Sequence, residues 1–206
     1  MSAGEGVVRF RLDQRPGPPP TAAELAPLRA WHRICHALRL VGQRPDRYGG
    51  YAYGNLSRRS GDGFLISGTQ TGGREELGAG DYARVLAWDL EHNRVVACGP
   101  TRPSSESLTH AALYDAMRTA GFVIHAHSPE IWRHAGALGL PVTDPAVAYG
   151  TPEMAAEVLG LFRSGTLEER GLFAMGGHED GIVAYGPDDE AAGELLVTTL
   201  ARAFQL

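Results

Sequence analysis

Phe122-Val-Ile-His-Ala-His127 is the stretch on which the reading of this chain turns. A short apolar run of this kind reads as a strand. Side chains alternate along a strand, so His125 and His127 face the same way, about 6–7 Å apart along it. Two imidazoles so placed can grip one metal ion, and zinc takes imidazole nitrogen readily. The same pair also reads as two polar residues on a solvent-facing side. The apolar run before it makes a solvated face less natural, and spacing alone leaves the two readings even.

Working outward, Leu172-Phe-Ala-Met175 and Ile182-Val-Ala-Tyr185 read as two strands around a Gly-Gly-His-Glu-Asp-Gly turn. His178 sits in that turn, where glycines let backbones approach closely. From spacing alone a plain surface-turn histidine is the more ordinary reading. Thr151-Pro-Glu153 is a helix start, with a threonine cap, proline in first position and an acid near the positive dipole end. That helix runs over residues 151–164, with Gly165 as its stop. Pro187-Asp-Asp189 caps a final helix. Upstream, Pro103-Ser-Ser-Glu106 opens a helix that ends at Gly121, with Leu108, Ala112, Ala116 and Met117 as its stripe. Its start can hold an anion on free N–H groups and serine hydroxyls, or it can be ordinary capping. Residues 85–90 and 95–98 form a hairpin around Glu91-His-Asn-Arg94. In residues 48–71 one strand, Phe64-Leu-Ile66, is expected among loops, and Tyr53-Gly-Asn-Leu-Ser57 reads as a polar turn able to cradle an anion. Thr21-Ala-Ala-Glu24 has the form of a capping box. It opens a helix to Val41, stopped by Gly42, with Leu25, Leu28, Cys35 and Leu38 as its apolar stripe. Arg15-Pro-Gly-Pro-Pro-Pro20 is a linker, and residues 7–12 alternate as a short edge strand. Residues 1–20 are therefore an edge strand and linker, and residues 21–206 one domain. Hairpins alternating with helices predict a mostly antiparallel sheet covered by helices.

The apolar share of 43% suits a globular core, and a net charge of −5 argues against nucleic-acid binding. No run of about 18 apolar residues exists, so no membrane span is expected. The first residues lack the pattern of a secretory signal. Two cysteines, Cys35 and Cys98, sit among apolar neighbours. They read as core filler and point to a reducing cytoplasm. His32 and His36, four apart, read as polar groups at the core edge. His110, one turn after Glu106, reads as a residue that holds its helix by hydrogen bonding.

The ordered set Gly-Asn-Leu-Ser, Phe-Leu-Ile-Ser-Gly-Thr, Pro-Ser-Ser-Glu with a histidine four residues on, His-Ala-His and Gly-Gly-His resembles the class II aldolase/adducin family over most of the chain. The resemblance implies a three-layer α/β/α sandwich around a central, mostly antiparallel sheet. It implies zinc, or another divalent metal, on His125, His127 and His178, and Glu106 as the proton-transfer group. In phosphate-using members the anion is held by a Gly-Asn turn, a Thr-Gly turn and a Ser-Ser pair, which match Gly54 and Asn55, Thr69, and Ser104 and Ser105. The activity implied is that of a carbon–carbon lyase, cleaving a small sugar (phosphate) or hydroxy-keto acid through a zinc-stabilised enediolate, with a place in carbohydrate metabolism. Epimerase, dehydratase and decarboxylase chemistry occur in the same family, and adducin-like domains are non-catalytic assembly units. A small-molecule substrate and a homotetramer are implied, with no nucleic-acid or membrane partner.

Two departures stand out. Thr69 is followed by Gln70 where the family has glycine, and His178 by Glu179-Asp180 before Gly181. Gln70 is placed to crowd a phosphate, and the acids add two carboxylates close to the metal. A C-terminal tail that closes over aldolase sites is expected to be short or missing.

Overall fold

The computed structural model describes residues 8–167 and 171–206. In chain order the elements are β1 (Arg11–Arg15), α1 (Ala22–Ala37), β2 (Gly42–Gln43), β3 (Ala52–Tyr53), β4 (Asn55–Ser60), β5 (Gly63–Ser67), β6 (Tyr82–Asp89), β7 (Arg94–Cys98), α2 (Ser107–Ala116), β8 (Phe122–His127), α3 (Pro129–Arg133), α4 (Pro152–Arg163), β9 (Leu172–Ala174), β10 (Gly181–Gly186) and α5 (Asp189–Ala203). One mixed sheet has the order β1-β7-β6-β5-β4-β8-β10-β9. Its ladders are antiparallel except that of β1 on β7. β2 and β3 pair only with each other.

Strand alternation sorts the core onto two faces. On one, Phe122, Ile124 and Ala126 of β8 join Leu56 of β4 and Ile182 of β10 under α1, α3 and α5. On the other, Val123 and Val183 join Phe64, Ile66 and the helices α2 and α4. The alternation puts His125 and His127 on the phase of Val123, the side of α2 and α4.

Several sequence expectations hold. The strand at Phe122–His127 forms with the expected bounds. Thr21 and Glu24 form a complete capping box, and Thr151 caps α4 through the N–H of Met154. Others need correction. The edge strand expected at residues 7–12 forms at Arg11–Arg15, and Val7 lies outside the described residues. α1 stops at Ala37, not Val41: Arg39 takes a positive φ of 59°, and Leu38 is exposed while His32 is buried. α2 stops at Ala116 instead of Gly121, and its first eight residues are all buried, so it has no outward face. Cys98 is half-buried, whereas Cys35 is true core.

The largest correction is at residues 53–57. Asn55–Ser60 is not a turn but a central strand between β5 and β8. Its polar residues fooled the pattern because Ser57, Arg58 and Arg59 are each partnered inside the protein. The Ser57 hydroxyl bonds His110 Nδ1 at 2.6 Å and the Tyr114 hydroxyl at 2.8 Å. Arg58 donates to the Glu24 carbonyl at 2.9 Å, and Arg59 to that of Ala120 at 2.8 Å.

α5 docks on α1 through a glycine. A Cβ at Gly193 would lie 2.3 Å from the ring of Trp31, whose Nε1 donates to Asp189 Oδ2 at 3.2 Å. Gly193→Ala is therefore expected to destabilise the protein by about 1–3 kcal/mol through overpacking. The better helix propensity of alanine, about 1 kcal/mol, offsets part of this. Urea unfolding should show a lower midpoint at unchanged slope. A raised midpoint would mean the ring has room to step aside.

Candidate metal centre and its surroundings

β8 supplies two histidines and the turn before β10 the third. The antiparallel β8–β10 ladder sets Gly181 opposite His127 and Val183 opposite His125, which carries the preceding turn over the β8 imidazoles. The turn is closed by the N–H of His178 on the Met175 carbonyl at 3.1 Å and the N–H of Gly181 on the His178 carbonyl at 2.9 Å. Gly181 is required here, since a Cβ on it would lie 2.4 Å from the His178 ring.

The ligand atoms of His125, His127 and His178 lie within 4.8 Å of one another, all buried. The Nδ1–H of His125 donates to the Ile182 carbonyl at 3.1 Å. That fixes the tautomer and turns the Nε2 lone pair toward His178, whose Nε2 is 3.3 Å away. Burial drives the His125 pKa down to about 4. Burial also holds His127 and His178 well below the ordinary histidine range, helped for His127 by His178 and His125 and for His178 by His125 and Arg9. All three rings are neutral at pH 7, as metal ligation requires. The triad fits a divalent cation by donor set, by convergence and by protonation state. Three converging imidazoles are a donor set that borderline divalent metals take.

Glu106 is the N-cap residue of α2, with its carboxyl turned inward and 2% exposed. Burial raises its pKa to about 7, against the hydrogen bond from Thr109 Oγ1 at 2.9 Å and the positive charge of Arg9. A carboxyl poised near neutrality can both take and give a proton. Its Oε1 has no hydrogen-bond partner among the described residues, and neither do Asn55 Oδ1 and His110 Nε2. Buried polar atoms left so await a ligand or water. His110 is held neutral, its pKa pushed down to about 3 by burial and by His125. As the sequence suggested, it holds its helix by hydrogen bonding, tying α2 to β4 through Ser57.

The remaining sequence candidates share one small space. Gly54, Asn55, Thr69, Ser104 and Ser105 line it with Glu106 and Gln70. Asn55 stands opposite His125 in the β4–β8 ladder, which joins this space to the triad. Gln70 takes a positive φ of 59°, and its Oε1 accepts the Ala52 N–H at 3.0 Å, so its amide is engaged by the backbone. Ser104 Oγ accepts the Glu106 N–H at 3.2 Å.

The two acids after His178 do not join the ligands. Asp180, buried and at a φ of 62°, accepts from Arg47 at 2.8 Å and from the Tyr48 hydroxyl at 2.7 Å. Asp180 thus pins the glycine-rich loop of residues 44–51, and Tyr48 sets its ring edge-on to His127 with 4.5 Å between centroids. Tyr149 covers His178 at 4.2 Å, and Arg9 lies over Tyr149 at 4.7 Å. Sequence reasoning missed Arg47, Tyr48, Tyr149 and Arg9. The tyrosines at 48, 51 and 53 in a Gly-rich loop were the available signal.

The sequence profile of the Class II Aldolase and Adducin N-terminal domain matches residues 32–203. The chain belongs to this family. A methylthioribulose-1-phosphate dehydratase of Gluconacetobacter diazotrophicus is 37% identical over 100 residues, covering 48% of this chain and 46% of that protein. The match thus spans about half the length of that relative. Among solved structures of the family fold, L-fuculose-1-phosphate aldolase from Thermus thermophilus superposes with a TM-score of 0.64 at 23% identity, over 90% of this chain and 93% of that one. A sugar-phosphate aldolase from Thermotoga maritima gives 0.60 at 14%, over 89% and 94%. At these identities the likeness is one of fold. Among the described residues no helix is long and apolar enough to cross a membrane.

Proposed function

We propose that this family member is a metal-dependent lyase of the aldolase type, acting on a small sugar or hydroxy-keto acid. His125, His127 and His178 hold a divalent metal, zinc by donor preference. The metal supplies Lewis-acid polarisation of a carbonyl and neutralises negative charge as it develops. Glu106 moves the proton, while Gly54, Asn55, Thr69, Ser104 and Ser105 wall the small space beside it. The observation that carries this reading is the pairing of three buried neutral imidazoles with a buried carboxyl whose pKa lies near 7. Tyr48 and Tyr53 pack on His127, and Tyr149 packs on His178.

Dehydration is the second reading, favoured by the identity with the methylthioribulose-1-phosphate dehydratase. Dehydration starts by removing the C–H proton next to the carbonyl and then loses the hydroxyl one carbon further on, whereas cleavage starts by removing that hydroxyl's own proton; Glu106 can serve either step as the base. The reading extends to a homotetramer working in the cytoplasm, in carbohydrate metabolism. It also extends to a domain over residues 21–206 built as a three-layer α/β/α sandwich with a mostly antiparallel sheet, which helices on both sheet faces support.

The test is elemental analysis of untagged protein, followed by incubation with ketose 1-phosphates and 4-hydroxy-2-oxo acids. About one divalent metal per chain, with release of a carbonyl fragment, supports the lyase. Loss of water without carbon–carbon cleavage moves the assignment to a dehydratase. Absence of metal after zinc addition and dialysis removes the catalytic reading and leaves a non-catalytic assembly unit.

A further inference from the structure

The space that the family resemblance gives to a phosphate is nearly closed here. It measures about 10 Å³, at the lower limit for a single water, about 10–15 Å³. The Gln70 amide that narrows it is bonded to the Ala52 backbone. An oxyanion with several heavy atoms has no room there.

A second cavity, of about 410 Å³, is walled by the end of α1, the start of α3 and the end of α5, and reaches His127. That size is in the range of small-molecule sites, about 300–1,000 Å³. Arg39, Arg44 and Arg47 line it, and Glu130 is the one acid among the described lining residues. Glu130 is itself engaged, accepting from the Ser128 hydroxyl at 3.1 Å. Arg44 is paired with the exposed Asp46. Arg47 is oriented by the buried Asp180 at 2.8 Å. Arg39 makes no ion pair among the described residues, and its backbone φ of 59° is the conformation that ends α1 at the cavity wall. Leu38 and Phe204 give the same cavity an apolar side. Four of the five non-glycine residues with positive φ (Arg39, Tyr48, Gln70 and Asp180) lie in the segments that shape these two spaces. Backbone in that region is seldom kept by non-glycine residues without a constraint from the surroundings.

We infer that the arginine-lined cavity beside His127 binds an oxyanion group of the substrate, carboxylate or phosphate, with Arg39 as the principal contact. A guanidinium matches either head group through paired N–H donors. The charged end of the substrate then lies among the arginines, next to His127. This rests on the metal-lyase reading for the reaction but not for the binding, and the two are tested apart.

The experiment is calorimetric titration of the full chain with malonate and with inorganic phosphate, in the zinc-loaded protein and again after chelation. Wild-type protein should bind at least one of them with a Kd of about 1 mM or tighter, and the tighter of the two names the head group. Arg39→Ala, which strands no partner, should weaken that binding roughly tenfold or more, and Arg39→Gln likewise. Arg163→Ala, an exposed arginine on α4, should leave it unchanged. The Arg39 effect must appear with and without zinc, because malonate held by zinc alone would vanish on chelation and ignore Arg39. The inference is overturned if neither anion binds wild type, if both Arg39 variants bind as wild type does, or if Arg163→Ala weakens binding equally. Metal content of the same samples reports separately on the lyase reading.

Discussion

Glu106→Gln is expected to lower kcat by roughly 100- to 10,000-fold, with metal content unchanged and with a pH-dependent gain in stability. The first effect follows from removing the buried group poised to move a proton. The side chain sits 2% exposed at the start of α2, and glutamine keeps its volume and can keep the Thr109 hydrogen bond. Metal retention is the control that separates lost proton transfer from a collapsed site. The second effect needs no substrate. Burial raises the Glu106 pKa from 4.5 to about 7. A raised carboxyl pKa means the folded protein holds the proton more tightly than the unfolded chain does. The associated stability is therefore fully present below about pH 4.5 and is lost as pH rises through about 7. Over that window the cost of ionising Glu106 amounts to about 3 kcal/mol, and glutamine does not incur it. Urea unfolding of the metal-free proteins should show the gap between variant and wild type widening in the variant's favour from pH 5 to pH 8. Parallel pH–stability curves would show that Glu106 is solvated and unfit for the role given to it.

The elements most legible in the sequence were those in which local chemistry and tertiary environment agree. β8 is apolar up to His125 and buried throughout, so the pattern and the fold give the same bounds. Thr151-Pro152 starts α4 with local signals alone. β4 was illegible for the opposite reason. A strand carrying Asn55, Ser57, Arg58 and Arg59 looks like a turn until the partners of the last three, on α2, on α1 and at the Ala120 carbonyl, are known. α2 hid its burial on all sides because no polar face was missing from its sequence in an obvious way; Ser107, Thr109 and His110 are polar and buried together.

The candidate site divides in the same manner. The histidines and Glu106 carry chemistry in their residue type and could be named from motifs. Asp180 and Gln70 looked like intrusions into the site. The fold turns both into backbone devices: Asp180 anchors Arg47 and Tyr48, and Gln70 braces Ala52. The departure after His178 and the Gly-rich loop of residues 44–51 are thus two halves of one contact, 132 residues apart in the chain. No local pattern can express such a pairing, yet it decides what covers His127 and which space beside the triad stays open.

His127→Ala should cost the protein its metal and, with it, essentially all turnover. His127 is the proposed ligand at the end of β8, opposite Gly181, where the ladder meets the turn that carries His178. Removing it leaves His125 and His178, whose Nε2 atoms are 3.3 Å apart. Two imidazoles without a third do not complete the three-ligand set of a catalytic zinc. The measurable consequence is a change in linkage. Zinc at about 100 times its Kd stabilises a protein that binds it only when folded by about 2.7 kcal/mol. Wild type should therefore show a clear rise in Tm on zinc addition, and His127→Ala almost none. The fold itself should survive, because the alanine lies under the rings of Tyr48 and Tyr53, which can close over it, and because Ala126 and Ile124, on the opposite face of β8, keep the core contacts of the strand. A His134→Ala control, altering a histidine at the end of α3 outside the triad, should keep both the metal and the zinc-dependent rise. If His127→Ala held zinc as tightly as wild type, the three converging imidazoles would be a packing arrangement and the metal, if any, would have to sit elsewhere.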